Sequence, residues 1–306
     1  MPYYLGIDGG GTKTTCAVGD ESQLLAMATA GASNIVRVGQ SQARQSLQQS
    51  VRQACAAAGI TPQQVSHTCV GGSGAARPEL AAIVRGLLAE VLPTPIAVVG
   101  DMQIALEAAF EQGPGVIVIA GTGSIAYGRD RHGATARAGG WGFAIGDEGS
   151  AHWIGRAAVS AVLRASDRKG ESSEARTQSS CGAALLKAWG VNSLADLAHA
   201  ANSIPPPDFA TLFPAVTASS GDWVTQVLTN AGRELAQVAA IVIHRLFAQA
   251  NAACVPVGMT GGVFRHAPLV RQVFYNELRT LEPGSEVNPQ VVEPVEGALR
   301  LARRGL

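Results

Sequence analysis

Two segments in different halves of the chain share one pattern, an apolar run followed by a glycine-rich turn and a second apolar run. The first is LGIDGGGTKTTCAV at residues 5–18, and the second is VIVIAGTGSIAYG at residues 116–128. Apolar runs separated by glycines predict pairs of strands joined by tight turns. The repeated pattern hints at an internal structural repeat, so we expect both halves of the chain to follow one plan.

The elements predicted around the first turn alternate between strands and helices. Strands are predicted at residues 3–7, 14–18, 23–29, 65–70 and 96–99, and helices at residues 41–58, 79–91 and 104–110. The order βββαβαβα is typical of an α/β domain with a partly antiparallel sheet. We expect the glycine-rich ends of its strands to face one crevice.

The second half restarts with a strand meander and then becomes mostly helical. Strands are predicted at residues 116–120, 125–128, 135–138, 255–259 and 287–292, and helices at residues 151–165, 181–189, 193–201, 222–251 and 296–303. The polar residues 167–180 are predicted to form a loop.

Length and composition exclude several classes of protein. The 306 residues are 47% apolar and 15% charged with a formal net charge of zero, which suits one large or two smaller globular domains and gives no sign of a nucleic-acid or membrane partner. The five cysteines form no CxxC pair, zinc-ligand spacing or disulfide framework. Without a basic leader or a long uncharged apolar run, a cytoplasmic protein is expected.

The two glycine turns are candidate phosphate sites. Backbone N–H groups near glycines can approach a phosphate without obstruction by a Cβ atom. In the first turn the hydroxyl of Thr12 and the charge of Lys13 add to these donors. Each turn alone is more typical of an ordinary hairpin, but two such turns could together hold a nucleoside triphosphate.

Two carboxylates follow apolar runs at predicted strand ends. Asp8 could hold Mg²⁺ beside phosphates, or it could cap the N–H groups of the turn. Asp101 could be the N-cap of the next helix, or it could be a general base that takes a proton from a sugar hydroxyl. Residue type alone leaves both pairs of alternatives open.

The stretch GGWGFAIGDEGS at residues 139–150 is the most unusual of the chain. Acidic side chains bind sugar hydroxyls, and an aromatic ring can pack on the apolar face of a sugar. The alternative is a loop whose acids, Asp147 and Glu148, favour the N-terminus of the next helix. The GGSG stretch at residues 71–74 could line the same crevice as the first turn, or its glycines could serve packing alone.

The order of these motifs resembles that of the N-acetylglucosamine kinases of the BadF/BadG/BcrA/BcrD ATPase family, within the actin, sugar-kinase and chaperone ATPase superfamily. The resemblance covers nearly the whole chain and is densest between residues 115 and 155. It implies an α/β fold with two ribonuclease-H-like domains, each built on a mixed five-stranded sheet, and a cleft that closes over ATP and sugar. The first domain would span residues 1–113 with the terminal helix 296–306, and the second would span residues 114–295 with helical insertions.

The resemblance also implies roles for individual residues. Asp8 would hold Mg²⁺, and Asp101 would be the base at the sugar 6-hydroxyl. The phosphate contacts would come from Gly10, Gly11, Thr12, Lys13, Gly121, Thr122 and Gly123. The sugar contacts would come from Asn34, Asp101, Gly140, Trp141, Gly142 and Asp147, and the adenosine contacts from Ala218, Gly261 and Gly262. The implied enzyme is a phosphotransferase that uses ATP and Mg²⁺, acts on a small amino sugar and has a homodimer as a candidate assembly.

Two departures from the family leave the substrate open. The first strand carries Asp8 where animal N-acetylglucosamine kinases have Glu, and the second half of the chain is shorter than theirs. Both suggest a bacterial-type member, for which glucosamine or another hexosamine is an alternative substrate. A further alternative is an ATPase activator of a 2-hydroxyacyl-CoA dehydratase, although the paired cysteines of that class are missing. The last alternative is an ATP-binding module without enzymatic activity.

Overall fold

The computed structural model describes residues 2–75, 77–169, 180–248 and 254–306. Contacts divide the chain into two compact units, and each is described by itself. The first unit comprises Met1–Ile117 and Val292–Leu306, and the second comprises Val118–Val291.

The strands and helices are numbered along the chain. The strands are β1 Tyr3–Gly9, β2 Thr14–Gly19, β3 Leu24–Ala30, β4 Val65–Gly72, β5 Ile96–Gly100, β6 Gly115–Ala120, β7 Ser124–Arg129, β8 Thr135–Gly139, β9 Val255–Thr260 and β10 Ser285–Val291. The α-helices are α1 Ile35–Ala57, α2 Pro78–Ala89, α3 Asp101–Phe110, α4 Ala151–Lys169, α5 Ser180–Trp189, α6 Leu194–Ala201, α7 Phe213–Thr217, α8 Asp222–Phe247, α9 Gly262–His266, α10 Pro268–Leu281 and α11 Pro294–Arg303. Short 3₁₀ helices span Pro62–Gln64 and Phe209–Leu212.

The first unit is a mixed five-stranded sheet in the order β3-β2-β1-β4-β5. The strands β1, β2 and β3 pair antiparallel, whereas β4 runs parallel to both β1 and β5. On one side of the sheet, β1 packs against α1 and α2 through a core that includes Leu5, Ile7 and Leu47. A second cluster joins Cys69 and Ile104 to α11. Burial of these side chains on both sides stabilises the unit.

The helix α11 lies very close to β1. A Cβ atom added at Gly6 would collide with the backbone nitrogen of Leu299, so only glycine allows this approach. Arg304 forms an ion pair with the nearly buried Glu107 of α3, and Arg300 donates to the Glu107 carbonyl at 3.2 Å. The end of the chain is therefore an integral part of the first unit.

The second unit contains the other mixed five-stranded sheet, in the order β10-β9-β6-β7-β8. The strands β9 and β10 pair parallel, and β7 and β8 pair antiparallel. The helix α8 packs against β7 and β8, and α10 packs against α8. The helix α4 packs against α5, α6, α7 and the Phe209–Leu212 turn.

The predicted α/β class with two five-stranded mixed sheets is confirmed. The predicted start of the first helix at residue 41 was late, because α1 begins at Ile35 and is interrupted by a non-helical Gly39. The predicted loop at 167–180 was wrong at its start, since α4 continues to Lys169, and residues 170–179 lie outside the described residues. The end of the predicted helix 222–251 also lies outside them, and α9 and α10 were not predicted.

Across the described residues, the structure contains no helix that is both long enough and apolar enough to span a membrane.

Candidate functional site

In the first unit, three parallel strands end side by side. Gly9 at the end of β1 pairs with Gly72 at the end of β4, and Gly72 pairs with Gly100 at the end of β5. Residues next to these ends therefore lie at one edge of the sheet. This arrangement brings Asp8 and Asp101 together, although 92 residues separate them in the chain.

Asp101 is the first residue of α3, and Gly100 is the N-cap, so the predicted alternative of an N-cap role for Asp101 is wrong. The Gly100 N–H donates to the Gln103 side chain at 2.9 Å. The Asp101 carboxylate accepts from the Met102 N–H at 2.9 Å and also from the Ser73 hydroxyl. Burial raises the pKa of Asp101 above its usual value, while these hydrogen bonds oppose the rise.

Asp8 lies on β1 one residue before the strand ends. Burial and repulsion from Asp101 raise the pKa of Asp8 from 3.8 to about 7, with Glu293 adding to the rise and Lys13 opposing it. The ammonium of Lys13 thus acts on Asp8, although the Lys13 side chain is exposed. Two other acids and one lysine thus act on Asp8, so acidic groups outnumber basic ones among these neighbours.

The first glycine turn also holds Asn34 in place. The Gly10 N–H donates to the Lys13 carbonyl at 3.0 Å, which closes the turn over Gly11 and Thr12. The Gly10 carbonyl accepts from the Asn34 N–H at 3.3 Å. The Asn34 Oδ1 atom caps α1 by accepting from the Val36 N–H at 3.1 Å. The side-chain NH₂ group is therefore the part of Asn34 that can donate to a ligand.

A narrow cavity of about 20 Å³ lies beside the strand ends. Gly9, Ser33, Gly72 and Ser73 supply its polar rim. Its remaining wall is apolar and includes Ile35 and Leu47. The volume is enough for about one water molecule.

In the second unit, the turn after β6 is tied to the start of α4. The Ala151 N–H donates to the Gly121 carbonyl at 2.9 Å, and the His152 N–H donates to the Thr122 carbonyl at 3.2 Å. In a trans peptide the N–H points opposite to the carbonyl. The N–H groups of Thr122 and Gly123 therefore point away from α4, as donors to a phosphate would need to do.

Asp147 joins this turn to the glycine-rich loop. Its Oδ1 atom accepts from the Gly142 N–H at 3.3 Å, and the carboxylate also accepts from the Ser124 N–H. A Cβ atom added at Gly123 would lie 2.7 Å from Oδ2. Burial raises the pKa of Asp147, Glu148 adds to the rise, and the two N–H donors and His152 oppose it.

The same loop presents aromatic rings to solvent. Trp141 is 67% exposed, and the Arg137 guanidinium lies 4.8 Å from its ring centroid. Phe143 is 51% exposed and lies 5.0 Å from the ring of the buried His152. Gly140 and Gly142, which flank Trp141, both have positive φ. An exposed aromatic ring on such a loop can cover a sugar face.

The predicted adenosine residues lie in two places within the second unit. Gly261 has φ +107°, and a Cβ atom there would collide with the Ala120 carbonyl. The end of β9 therefore lies directly against the start of the Gly121 turn. Gly262 is exposed at the start of α9. Ala218 lies apart from them at the end of α7, where it lines a cavity of about 470 Å³ with Lys187 and Ser219.

Two residues at these edges were missed from the sequence. Glu293 acts on Asp8, and His152 lies against the loop. Ser73, which acts on Asp101, belongs to the GGSG stretch that the sequence had offered as a lining of the same crevice. Glu293 had no local signal, because its proximity to Asp8 depends on the packing of α11.

The side chains that could bind a metal ion are few at any one place in the described chain. In the ranges that the structure describes, no three or more His, Cys, Asp or Glu side chains form a group that could hold a metal ion. Mg²⁺ commonly binds through one or two carboxylates together with substrate phosphates.

Two curated proteins are similar in sequence. The chain is 39% identical over 173 residues to the N-acetylmuramic acid/N-acetylglucosamine kinase of Clostridium acetobutylicum. That match covers 56% of each protein, so it spans just over half of the relative. The chain is 29% identical over 317 residues to the N-acetyl-D-glucosamine kinase of Dictyostelium discoideum, with coverage of 98% of this chain and 97% of that relative.

A similar fold is found in a structural-genomics target from Chromobacterium violaceum that carries the name N-acetylglucosamine kinase. Its TM-score is 0.74 at 25% identity, and the match covers 99% of each chain. The predicted family is also confirmed by a match to the family pattern over residues 5–302. The chain belongs to the BadF/BadG/BcrA/BcrD ATPase family.

Proposed function

We propose that the chain is an ATP-dependent kinase that transfers the γ-phosphate of ATP to the 6-hydroxyl of N-acetylglucosamine. The observation that carries the proposal is the pair Asp8 and Asp101 at the ends of β1 and β5, two parallel strands that β4 separates. The names of both curated relatives include N-acetylglucosamine kinase, which supports the same substrate.

Asp101 acts as the general base. Its carboxylate accepts the proton of the sugar 6-hydroxyl while the sugar oxygen bonds to the γ-phosphorus. The bond from the γ-phosphorus to the bridging oxygen breaks, and ADP leaves with the electron pair. A raised pKa makes Asp101 a stronger proton acceptor than an ordinary aspartate, and its bonds to Met102 and Ser73 hold it in one orientation.

Asp8 is the residue that would hold Mg²⁺. The burial of Asp8 and its acidic neighbours, which together raise its pKa to about 7, fit a divalent cation bound there with phosphate oxygens. When bound, the ion would neutralise phosphate charge. Lys13, a cation that acts on Asp8, would contribute to the same neutralisation.

The glycine turns supply the phosphate contacts. In the first unit these come from Gly10, Gly11, Thr12 and Lys13, and in the second unit from Gly121, Thr122 and Gly123. The orientation of the turn amides away from α4 supports the second set. Gly261 and Gly262 would contact the adenosine from beside the Gly121 turn, and Ala218 would contact it from the end of α7.

Each unit carries residues that we assign to sugar binding. Asn34 would donate from its NH₂ group, because its Oδ1 atom is engaged by α1. In the second unit Gly140, Trp141, Gly142 and Asp147 would contact the sugar, with Trp141 covering its apolar face. Glucosamine or another hexosamine remains the alternative substrate, since sugars that differ by one small group are separated only modestly unless a hydrogen bond is lost.

The cysteines weigh against the dehydratase activator. Cys16, Cys55 and Cys69 are buried, and burial raises the pKa of each, to about 11 for Cys55 and about 12 for Cys69. Thiolates are the ligands of iron–sulfur clusters, and these thiols resist deprotonation. A brown protein with bound iron would instead favour the activator.

The decisive experiment measures ADP release and sugar phosphate formation across a panel of hexoses and hexosamines. We expect N-acetylglucosamine to give the highest kcat/KM. Asp101→Asn should abolish most turnover while ATP binding persists, and Asp130→Asn, which alters an acid of the β7–β8 turn, should behave as wild type. If no sugar in the panel stimulates ADP release, the kinase proposal is wrong and an ATP-binding module is favoured.

The homodimer stays a prediction. Light scattering of the purified protein measures its mass directly against the 31.4 kDa chain.

A further inference from the structure

Asp147 lies where two segments of the second unit meet. One is the sugar loop, residues 139–146, and the other is the phosphate turn, residues 121–124. The Asp147 carboxylate accepts from Gly142 of the loop and from Ser124 of the turn. Its Oδ2 atom also lies against Gly123. One buried side chain therefore contacts both segments.

The backbone around Asp147 supports this link. Asp147 has φ +59°, an uncommon conformation for a residue with a side chain. Its carbonyl accepts from the Ser150 N–H at 3.1 Å, and the next carbonyl, that of Glu148, accepts from the Ser124 hydroxyl at 2.7 Å. The surrounding contacts hold the carboxylate against the turn in spite of the unfavourable dihedral.

We propose that Asp147 is a positioning residue that couples the sugar loop to the phosphate turn, so that each substrate increases the affinity for the other. This inference rests on the proposed function and deepens it. Asp147 can still touch the sugar, but its distinctive effect is on nucleotide binding at the turn.

The physical basis is the shared acceptor. A sugar that fixes the loop also fixes the Gly142 N–H and hence the carboxylate, which in turn fixes the Ser124 N–H and the space beside Gly123. Binding that orders a shared element leaves less ordering for the second ligand, which produces positive cooperativity. The coupling is reciprocal, so the sugar must improve nucleotide affinity by the same factor as the nucleotide improves sugar affinity.

The test measures four dissociation constants by calorimetry, for ADP with and without N-acetylglucosamine and for N-acetylglucosamine with and without ADP. One ratio is the factor by which N-acetylglucosamine lowers the dissociation constant of ADP, and the other is the factor by which ADP lowers that of N-acetylglucosamine. In the wild type we expect both ratios to be equal and at least about fivefold. Asp147→Asn keeps one oxygen but turns an NH₂ group toward N–H donors, so both ratios should fall toward one. ADP binding without sugar should also weaken.

A matched control is Glu148→Gln, which removes a negative charge one residue away but keeps the Glu148 carbonyl that binds Ser124. We expect this variant to retain both ratios. Gly123→Ala disturbs the same contact from the side of the turn, because its Cβ atom would lie 2.7 Å from Oδ2 of Asp147. It should weaken sugar binding in the presence of ADP, although Gly123 belongs to the phosphate turn. Thermal melts identify any variant that does not fold.

The outcomes separate this inference from the kinase proposal. If Asp147→Asn is folded, binds ADP as the wild type does and keeps both ratios, the coupling role is wrong even if the wild type phosphorylates N-acetylglucosamine. If the wild type phosphorylates no sugar, yet Asp147→Asn loses ADP affinity that Glu148→Gln retains, the link to the turn stands and the kinase proposal fails.

Discussion

Asp8 is buried beside Asp101 at the edge of the first sheet, and burial together with repulsion from the Asp101 carboxylate raises the pKa of Asp8. The two acids belong to β1 and to the start of α3, and neither strand nor helix alone would bring them together. Like charges held close in a buried setting hinder each other's ionisation. The pair therefore has a property that can be measured without any substrate.

Removal of the Asp101 charge should lower the pKa of Asp8. We expect Asp101→Asn to bring it down from about 7, although burial keeps it above 3.8. Carboxyl ¹³C NMR titration of the metal-free protein measures this shift. An unchanged titration of Asp8 in the variant would contradict the repulsion. In the same variant, kcat for the sugar should fall by about 10²- to 10⁴-fold.

The stability of the metal-free protein should depend on Asp8 and pH. The folded state binds the Asp8 proton more tightly than the unfolded state, because the pKa rises from 3.8 to about 7. Protonation therefore favours folding, and this contribution is lost as the pH rises through about 7. Asp8→Asn should raise Tm at pH 8 in chelator and leave Tm nearly unchanged near pH 4. An equal effect on Tm at both pH values would contradict the raised pKa of Asp8. Asp130→Asn is the control variant.

Gly261 should tolerate no side chain, whereas its neighbour should. Gly261→Ala combines positive φ with a collision at the Ala120 carbonyl, which should lower the free energy of unfolding by about 2 kcal/mol or more. Gly262→Ala meets no atom within 4 Å and has no positive φ, so its effect should stay within about 0.5 kcal/mol. Chemical denaturation compares the two variants. Similar stabilities would show that β9 does not pack this closely on β6.

The ion pair between Glu107 and Arg304 should contribute more to the free energy of unfolding than a surface ion pair does. Arg304→Ala leaves the nearly buried Glu107 without this partner and should cost about 1–3 kcal/mol. Arg44→Ala removes a pair with Glu90 in which both side chains are more than 40% exposed, and it should cost no more than about 1 kcal/mol. Denaturation midpoints measure both. A larger loss of stability in Arg44→Ala than in Arg304→Ala would contradict a stabilising role for the ion pair between α11 and α3.

The strands and most helices could be predicted because their signals are local. Apolar runs followed by glycines mark β1, β4 and β5, and each strand extends one or two residues beyond its predicted end, to a glycine. The helix α10 also had a signal, since Pro268 begins it and Val270, Phe274 and Leu278 form a buried stripe at four-residue spacing. The approach of Asp8 to Asp101 could not be read locally, because it depends on the strand order.

The same limit applies to the sugar loop. The glycines and aromatics of residues 139–150 indicated a binding loop, and the loop does carry exposed Trp141 and Phe143. The contact of Asp147 with Gly123 and Ser124 could not be predicted, because 22 residues and the hairpin of β7 and β8 separate Asp147 from Ser124. Resemblance to a family suggested that Asp147 matters, whereas its hydrogen bonds show which two segments of the second unit it contacts.

The close fit of Gly6 against Leu299 has a consequence for how the chain folds as it is made. The ribosome synthesises the whole sheet of the first unit before the second unit, but the helix that covers Cys69 and Ile104 follows the second unit in the chain. The second unit, which is continuous from Val118 to Val291, is completed before the first. One apolar face of the first sheet therefore stays uncovered during translation until α11 has been made and docks.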